Sequence, residues 1–298
     1  MSTELTPRVG DEETMTIGFI GLGAIGGPMA RHLIGRPGGL VVCDTSPAAI
    51  KPFETAGATV ASTPRQVAEH CQVISLMVRD DEQVREVITG ADGLAQSAQP
   101  GTIVAIHSTI RAETAIELAA ELAPRDILVV DAPVSGSAIG AHDGNLAVMF
   151  GGDSDALETC RAAFAPWAGL VVQMGPVGSG TRAKLARNLL TFVSYTAAAE
   201  AQRLAEAAGI SLGRLAQIVR HSDGITGGPS AVMIRRTTEQ MAPDDPLLAA
   251  MQQGTSLGIK DLTFALELGA SLGVDLPLAS YALDHLAEAL GVPDQLPE

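Results

Sequence analysis

Two apolar periodicities alternate along the first half of the chain, and their order constrains the fold more than any other feature. Short β-forming runs, "MTIGFIG", "LVVCD", "VISLMV", "TIVAIH", "ILVVDAP" and "GLVVQM", are separated by stretches of helical spacing such as "AIGGPMARHLIG", "PAAIKPFETAG" and "AETAIELAAELA". Alternation of this kind predicts parallel strands joined by helical crossovers, a doubly wound α/β sheet. The runs are predominantly apolar, as expected of strands covered on both faces.

"GLGAIG" follows the first run and opens the first helical stretch, supplying Gly21, Gly23 and Gly26 with Leu22, Ala24 and Ile25 between them. Glycines at this spacing permit a tight turn, close approach of a pyrophosphate and close helix packing, while the helix start offers unpaired N–H groups to phosphate. Asp44 closes the second run, at the distance where an acid meets a ribose hydroxyl. The pattern predicts a Rossmann dinucleotide site. Because a carboxylate accepts from a free ribose hydroxyl but repels a 2′-phosphate, and no arginine follows in "DTSPAAI", NAD is expected rather than NADP.

Beyond about residue 176 the strand signals stop. Helix-compatible stretches take over: "TRAKLARNLLTFVSYTAAAEAQRLAEAAG", "LGRLAQIVRHS", "SLGIKDLTFALELGASLG" and "PLASYALDHLAEALG", with glycines at their ends. The reading is a flexible N-terminal tail over 1–14, a Rossmann domain over 15–176 and an all-α helical domain over 177–298. On the first helix of the second half, Lys184, Asn188 and Thr191 form a polar row beside an apolar row of Leu185, Leu189 and Phe192. Such a polar row is ordinarily a solvated face. Two further segments stand out: Ser135, Gly136 and Ser137 after a strand, where N–H groups and hydroxyls can converge on a carboxylate, and Lys260, two residues past a glycine and expected at the start of a helix.

The 298 residues carry a net charge of −15, which argues against a nucleic-acid surface. No apolar run reaches the length of a membrane span, and the polar beginning lacks a signal-peptide core. A cytoplasmic protein without a membrane partner is therefore expected. Cys43, Cys71 and Cys160 lack CxxC spacing and sit in apolar segments, which suits reduced core thiols. The six histidines show no HExxH or paired Cys/His spacing, so no metal is expected.

Taken together, "GFIGLGAIGGPMARHL", "HSTI", "DAPVSGS", "GPVGSGTRAKLARN" and "GIKDLTFALELG" occur in an order that resembles the β-hydroxyacid dehydrogenase family over nearly the whole chain. The resemblance implies a Rossmann domain followed by a helical domain that often builds the oligomer, here a homodimer or homotetramer. By motif position it implies Lys184 as general acid/base, Asn188 as its substrate-orienting neighbour, and Ser135, Gly136 and Ser137 as the cradle of a small anionic substrate. It further implies Lys260 near nicotinamide and substrate, Thr109 near the cofactor, and Met77 with Val78 along the adenosine side. Ser137 departs from the family's usual glycine, His107 from its common acid and Arg79 from its frequent proline. Arg187 stands where 6-phosphogluconate dehydrogenases place histidine before the asparagine, so a small 3-hydroxy acid is the expected substrate. An imine reductase, which typically carries another residue at the lysine position, and a noncatalytic dinucleotide sensor are the alternative readings.

Overall fold

The structure is a computed structural model that describes residues 15–293, so the expected tail over 1–14 lies outside the described residues. Two compact units are present, the first ending at Arg187 and the second beginning at Asn188. In chain order the first unit comprises β1 (Ile17–Ile20), α1 (Gly26–Arg31), β2 (Leu40–Cys43), α2 (Pro47–Thr55), β3 (Thr59–Val60), α3 (Pro64–Ala68), β4 (Val73–Leu76) and α4 (Asp81–Thr89). Then come β5 (Ile103–Ile106), α5 (Ala112–Leu122), β6 (Leu128–Asp131), β7 (Val134–Ser135), α6 (Ser137–His142), β8 (Leu146–Gly151), α7 (Ser154–Phe164), β9 (Ala168–Gly175) and the start of α8 (Ser179–Ala207).

The strands form one sheet in the order β3-β2-β1-β4-β5-β6-β8-β7, with β9 paired to β8. From β3 to β6 every pairing is parallel. Every residue of β1, β2, β4 and β5 is buried, which accounts for sequences that are apolar but for Ser75 of β4. Successive residues serve opposite faces: Phe19 and Val42 join a core with Phe150, Phe164 and Trp167, whereas Ile20 and Val41 join one with Ile74 and Leu76.

The sequence reading expects only parallel strands and passes over β3, β7 and β8. β7 and β8 are antiparallel, because the single short helix α6 between them cannot span a parallel crossover. All three cysteines are buried and free, and burial pushes the Cys43 thiol up to about 11 and that of Cys71 up to about 12.

The second unit holds the rest of α8, then α9 (Leu212–Thr226), α10 (Leu248–Leu272) and α11 (Pro277–Leu290). Left-handed Gly227, Gly273 and Gly291 terminate α9, α10 and α11, where a side chain would be strained. Glu200 on α8 is buried and caps α11, its carboxylate accepting from the N–H groups of Leu278 at 2.9 Å and Ala279 at 3.1 Å. Lys260 lies in the middle of α10, not at a helix start as expected. Gly258 is there for packing, since a Cβ on it would press into Leu286 of α11. None of the residues of α9 or α11 is buried. Among the described residues no helix is long and apolar enough to cross a membrane.

Candidate active site

The glycine turn sits at the C-terminal edge of the parallel strands, where open α/β sheets bind ligands. Gly21 has φ +92° and its missing side chain makes room for the Met77 carbonyl, while Gly26 and Gly27 let α1 pack directly on the carbonyls of Gly21 and Leu22. Around Gly23, by contrast, a Cβ would meet nothing within 4 Å. Gly23 and Ala24 are exposed, Ile25 is half-buried and Leu22 is buried. The outer glycines thus serve the protein's own packing, and the middle one leaves open backbone that a pyrophosphate can approach. These residues fit a dinucleotide.

Asp44 stands immediately after β2 and holds the turn in place. One carboxylate oxygen accepts the Leu22 N–H at 2.6 Å and the other accepts the Ser46 N–H at 2.7 Å. Each oxygen keeps a further lone pair for a ribose hydroxyl. The loops after β4 and β5 are joined by Ser108, whose hydroxyl accepts from the Val78 N–H at 2.9 Å and donates to the Val78 carbonyl at 2.7 Å. Met77 and Val78 are half-buried beside it, Thr109 is exposed on its other side, and exposed Arg79 gives its N–H to Gln83. Ser108 is absent from the sequence reading, although it lies within "HSTI".

His107 belongs to the core. Its Nδ1 is 2.8 Å from the Ala132 carbonyl, which can only accept, so Nδ1 carries the proton and Nε2 accepts from the Ser75 hydroxyl at 3.0 Å. Complete burial drives its pKa down to about 4, against a smaller opposing contribution from the Ala132 bond.

Ser135 ends β7 in register with Ala147 of β8. Gly136 follows with φ +136°, and a Cβ there would come within 2.9 Å of Leu146 Cδ2. Ser137 adopts φ +60°, the left-handed region that costs a residue with a Cβ roughly 1 kcal/mol. The departure from glycine at this position therefore carries strain at the first residue of α6. His32 steadies α6 through contacts of its Nε2 with the carbonyls of Ala141 at 3.0 Å and His142 at 3.1 Å.

α8 inverts the usual pattern of an amphipathic helix. Lys184 is only 9% exposed, whereas Leu185, Leu189 and Phe192 of the neighbouring apolar row are 49%, 70% and 61% exposed. Burial, and secondarily the charge of Arg187, pushes the Lys184 ammonium down to about 8. Lys260 lies in the second unit, exposed, with Nζ 3.2 Å from Asp261. Asn188 is half-buried one turn beyond Lys184 on α8. Asp131, also absent from the sequence reading, is fully buried at the end of β6 and binds the first turn of α8. Among the described residues no group of three or more His, Cys, Asp or Glu is placed to hold a metal ion.

Residues 16–175 match the NAD binding domain of 6-phosphogluconate dehydrogenase, and residues 178–293 match the NAD-binding domain of NADP-dependent 3-hydroxyisobutyrate dehydrogenase. An uncharacterized oxidoreductase of Mycobacterium tuberculosis is 54% identical over 94% of this chain and 95% of its own. The crystal structure of a protein from Mycobacterium avium 104 superimposes with a TM-score of 0.89 at 49% identity, covering 94% of this chain and 99% of that one. That of 3-hydroxyisobutyrate dehydrogenase from Mycobacterium tuberculosis, with L-serine, gives a TM-score of 0.65 at 33% identity, covering 92% and 93%. With a dinucleotide turn that fits its ligand, a helical second half and these relatives, the chain is an oxidoreductase that uses a nicotinamide dinucleotide and belongs to the β-hydroxyacid dehydrogenase family.

Proposed function

We propose that the protein interconverts a small 3-hydroxy acid and its carbonyl form with NAD, using Lys184 as general acid/base and no metal. The observation that carries this reading is the burial of Lys184 with its pKa lowered to about 8, which makes the neutral amine accessible near neutral pH. When bound, nicotinamide supplies the acceptor or donor of hydride. As the alcohol becomes a carbonyl, the neutral Lys184 amine takes the hydroxyl proton; in reduction its ammonium returns one. Asn188 orients the hydroxyl, and Ser135, Gly136 and Ser137 hold the carboxylate, with Lys260 and Thr109 beside substrate and cofactor. The relative solved with L-serine supports the substrate class, since serine carries a carboxylate and a 3-hydroxyl.

Asp44 favours NAD by placing an anion where a 2′-phosphate would sit. Residues 15–176 form the dinucleotide domain and residues 177–298 the substrate and oligomerisation domain. We read the working form as at least a homodimer, because Leu189, Phe192, Ile218, Ile225, Met233 and Phe264 are all more than half exposed in one chain.

An absorbance screen at 340 nm of small 3-hydroxy acids with both cofactors tests the class. Lys184→Met then tests the mechanism: kcat is expected to fall at least about a hundredfold, the usual scale of lost proton transfer, with NAD affinity by calorimetry nearly unchanged. Normal turnover by the variant would move proton transfer to another group.

A further inference from the structure

We infer that Asp131 is a positioning residue for Lys184: it fixes the height and rotation at which α8 leaves the sheet, and so the place of the amine. This rests on the reading of Lys184 as the acid/base.

Asp131 closes β6 and is 0% exposed. One of its carboxylate oxygens accepts the Gly178 N–H at 2.6 Å and the other accepts the Thr181 N–H at 2.6 Å. Both donors are orphan N–H groups of the first turn of α8, so a strand residue far away in sequence performs the capping that a local Ser, Thr or Asp ordinarily performs. An anion is the right partner, since two N–H groups and the positive end of the helix dipole converge on it.

The seat beneath this cap has no slack. A Cβ on Gly180 would strike the Met149 carbonyl and lie 2.7 Å from that of Asp131, and one on Gly151 would strike the Asp131 carboxylate. Gly178 takes φ +92° as the chain turns into the helix. The backbone of α8 therefore rests directly on the ends of β6 and β8, with no side chain between them to absorb a shift.

Lys184 lies one helical turn past Thr181, about 4.5 Å further along the axis. Burial confirms the shared face: Thr181 and Lys184 are 0% and 9% exposed, while Arg182 and Leu185 between and beside them face solvent. Burial and, secondarily, the charge of Arg187 lower the lysine's pKa. Loss of an anion's field would lower it further, so a rise in a variant without the Asp131 charge reports a change in the amine's place.

Asp131→Asn keeps the shape and one acceptor but opposes an NH2 group to one of the two helix donors. Three quantities are to be measured on folded variant and wild type: the Lys184 pKa, from the pH dependence of its acylation read by peptide mass spectrometry without cofactor; kcat against pH with NAD and a 3-hydroxy acid from the screen; and the NAD dissociation constant. We expect the Lys184 pKa to rise by about one unit toward the ordinary lysine value as the amine gains water, kcat at pH 8 to fall at least about tenfold, and NAD affinity to change less than about threefold. A folded variant whose Lys184 pKa and kcat are those of wild type overturns the inference and leaves Asp131 a stabilising cap only. So does a fall in kcat matched by lost NAD affinity with the lysine pKa unmoved. A raised lysine pKa with normal kcat upholds the positioning but refutes Lys184 as the acid/base. Should Asp131→Asn not fold, Asp131→Glu carries the same readouts, since it keeps both acceptors while pushing α8 outward by one methylene.

Discussion

Lowering the pH should destabilise the first unit by favouring an unfolded state in which His107, buried and neutral in the native core, takes up a proton. His107 titrates at about 4 in the fold and near 6.5 in an unfolded chain. Because the folded value is depressed, the unfolded state binds a proton first as pH falls. The stability contributed by His107 is therefore complete above about pH 6.5 and is lost progressively toward pH 4. Between pH 7.5 and 4.5 that loss amounts to about 2.5 kcal/mol, a large share of a typical folding free energy.

The molecule carries its own reporter. Trp167 is the single tryptophan, is fully buried, and its ring centroid is 5.2 Å from that of His107. Urea melts followed by its fluorescence, at pH 7.5 and 4.5 and constant protein concentration, read the unfolding of this core. His107→Gln supplies the control: its amide can still donate to Ala132 and accept from Ser75, but it does not titrate. Lost ring contacts with Phe164 and Trp167 should lower its stability by a similar amount at both pH values. The wild type should lose about 2.5 kcal/mol more than the variant over the interval. Equal losses would show that acid acts on carboxylates or other histidines and that His107 titrates alike in both states.

Three further outcomes are expected. Catalytic efficiency should favour NAD over NADP at least about tenfold, because Asp44 is held facing the glycine turn by Leu22 and Ser46; equal use of the two, by steady-state kinetics, would contradict that placement. Thr181→Val should raise stability by roughly 1 kcal/mol in the same fluorescence melts, since the buried Thr181 hydroxyl has no hydrogen-bond partner among the described residues and valine keeps its shape. A loss of that size would mean the hydroxyl is satisfied in solution. Sedimentation at micromolar concentration should find at least a dimer, and a single species at the 30.6 kDa of one chain would refute the oligomeric reading.

What could be read from sequence divides along a physical line. Strands β1, β2, β4, β5 and β6 and the turn at Gly21–Gly26 were legible because each is specified locally, by an apolar run or by glycine spacing. β8 was not, since its direction depends on the short link from β7 and not on its own residues. The mid-helix place of Lys260 was likewise hidden: Gly258 reads as a helix boundary until Leu286 of α11 is seen to fill the space above it.

The candidate site shows the same division more sharply. Lys184 and Asn188 are visible as a polar row on α8, but a polar row on a helix ordinarily faces water, and only the fold shows that Lys184 is buried while Leu189 is exposed. The residue that holds the start of α8, Asp131, belongs to "DAPVSGS", where its neighbours Ser135 and Gly136 invite a substrate role and the aspartate itself reads as a strand end. Its partners are N–H groups of Gly178 and Thr181, and every residue but proline carries an N–H, so nothing in a one-letter sequence marks them. The glycines that admit the contact, Gly151 and Gly180, are equally silent, because a glycine needed for clearance looks the same as one needed for a turn. Side chains that face a ligand leave a trace in residue type, whereas the backbone contacts that aim them do not. For α8 the buried amine stands at position 184, and the start of the helix is held from position 131.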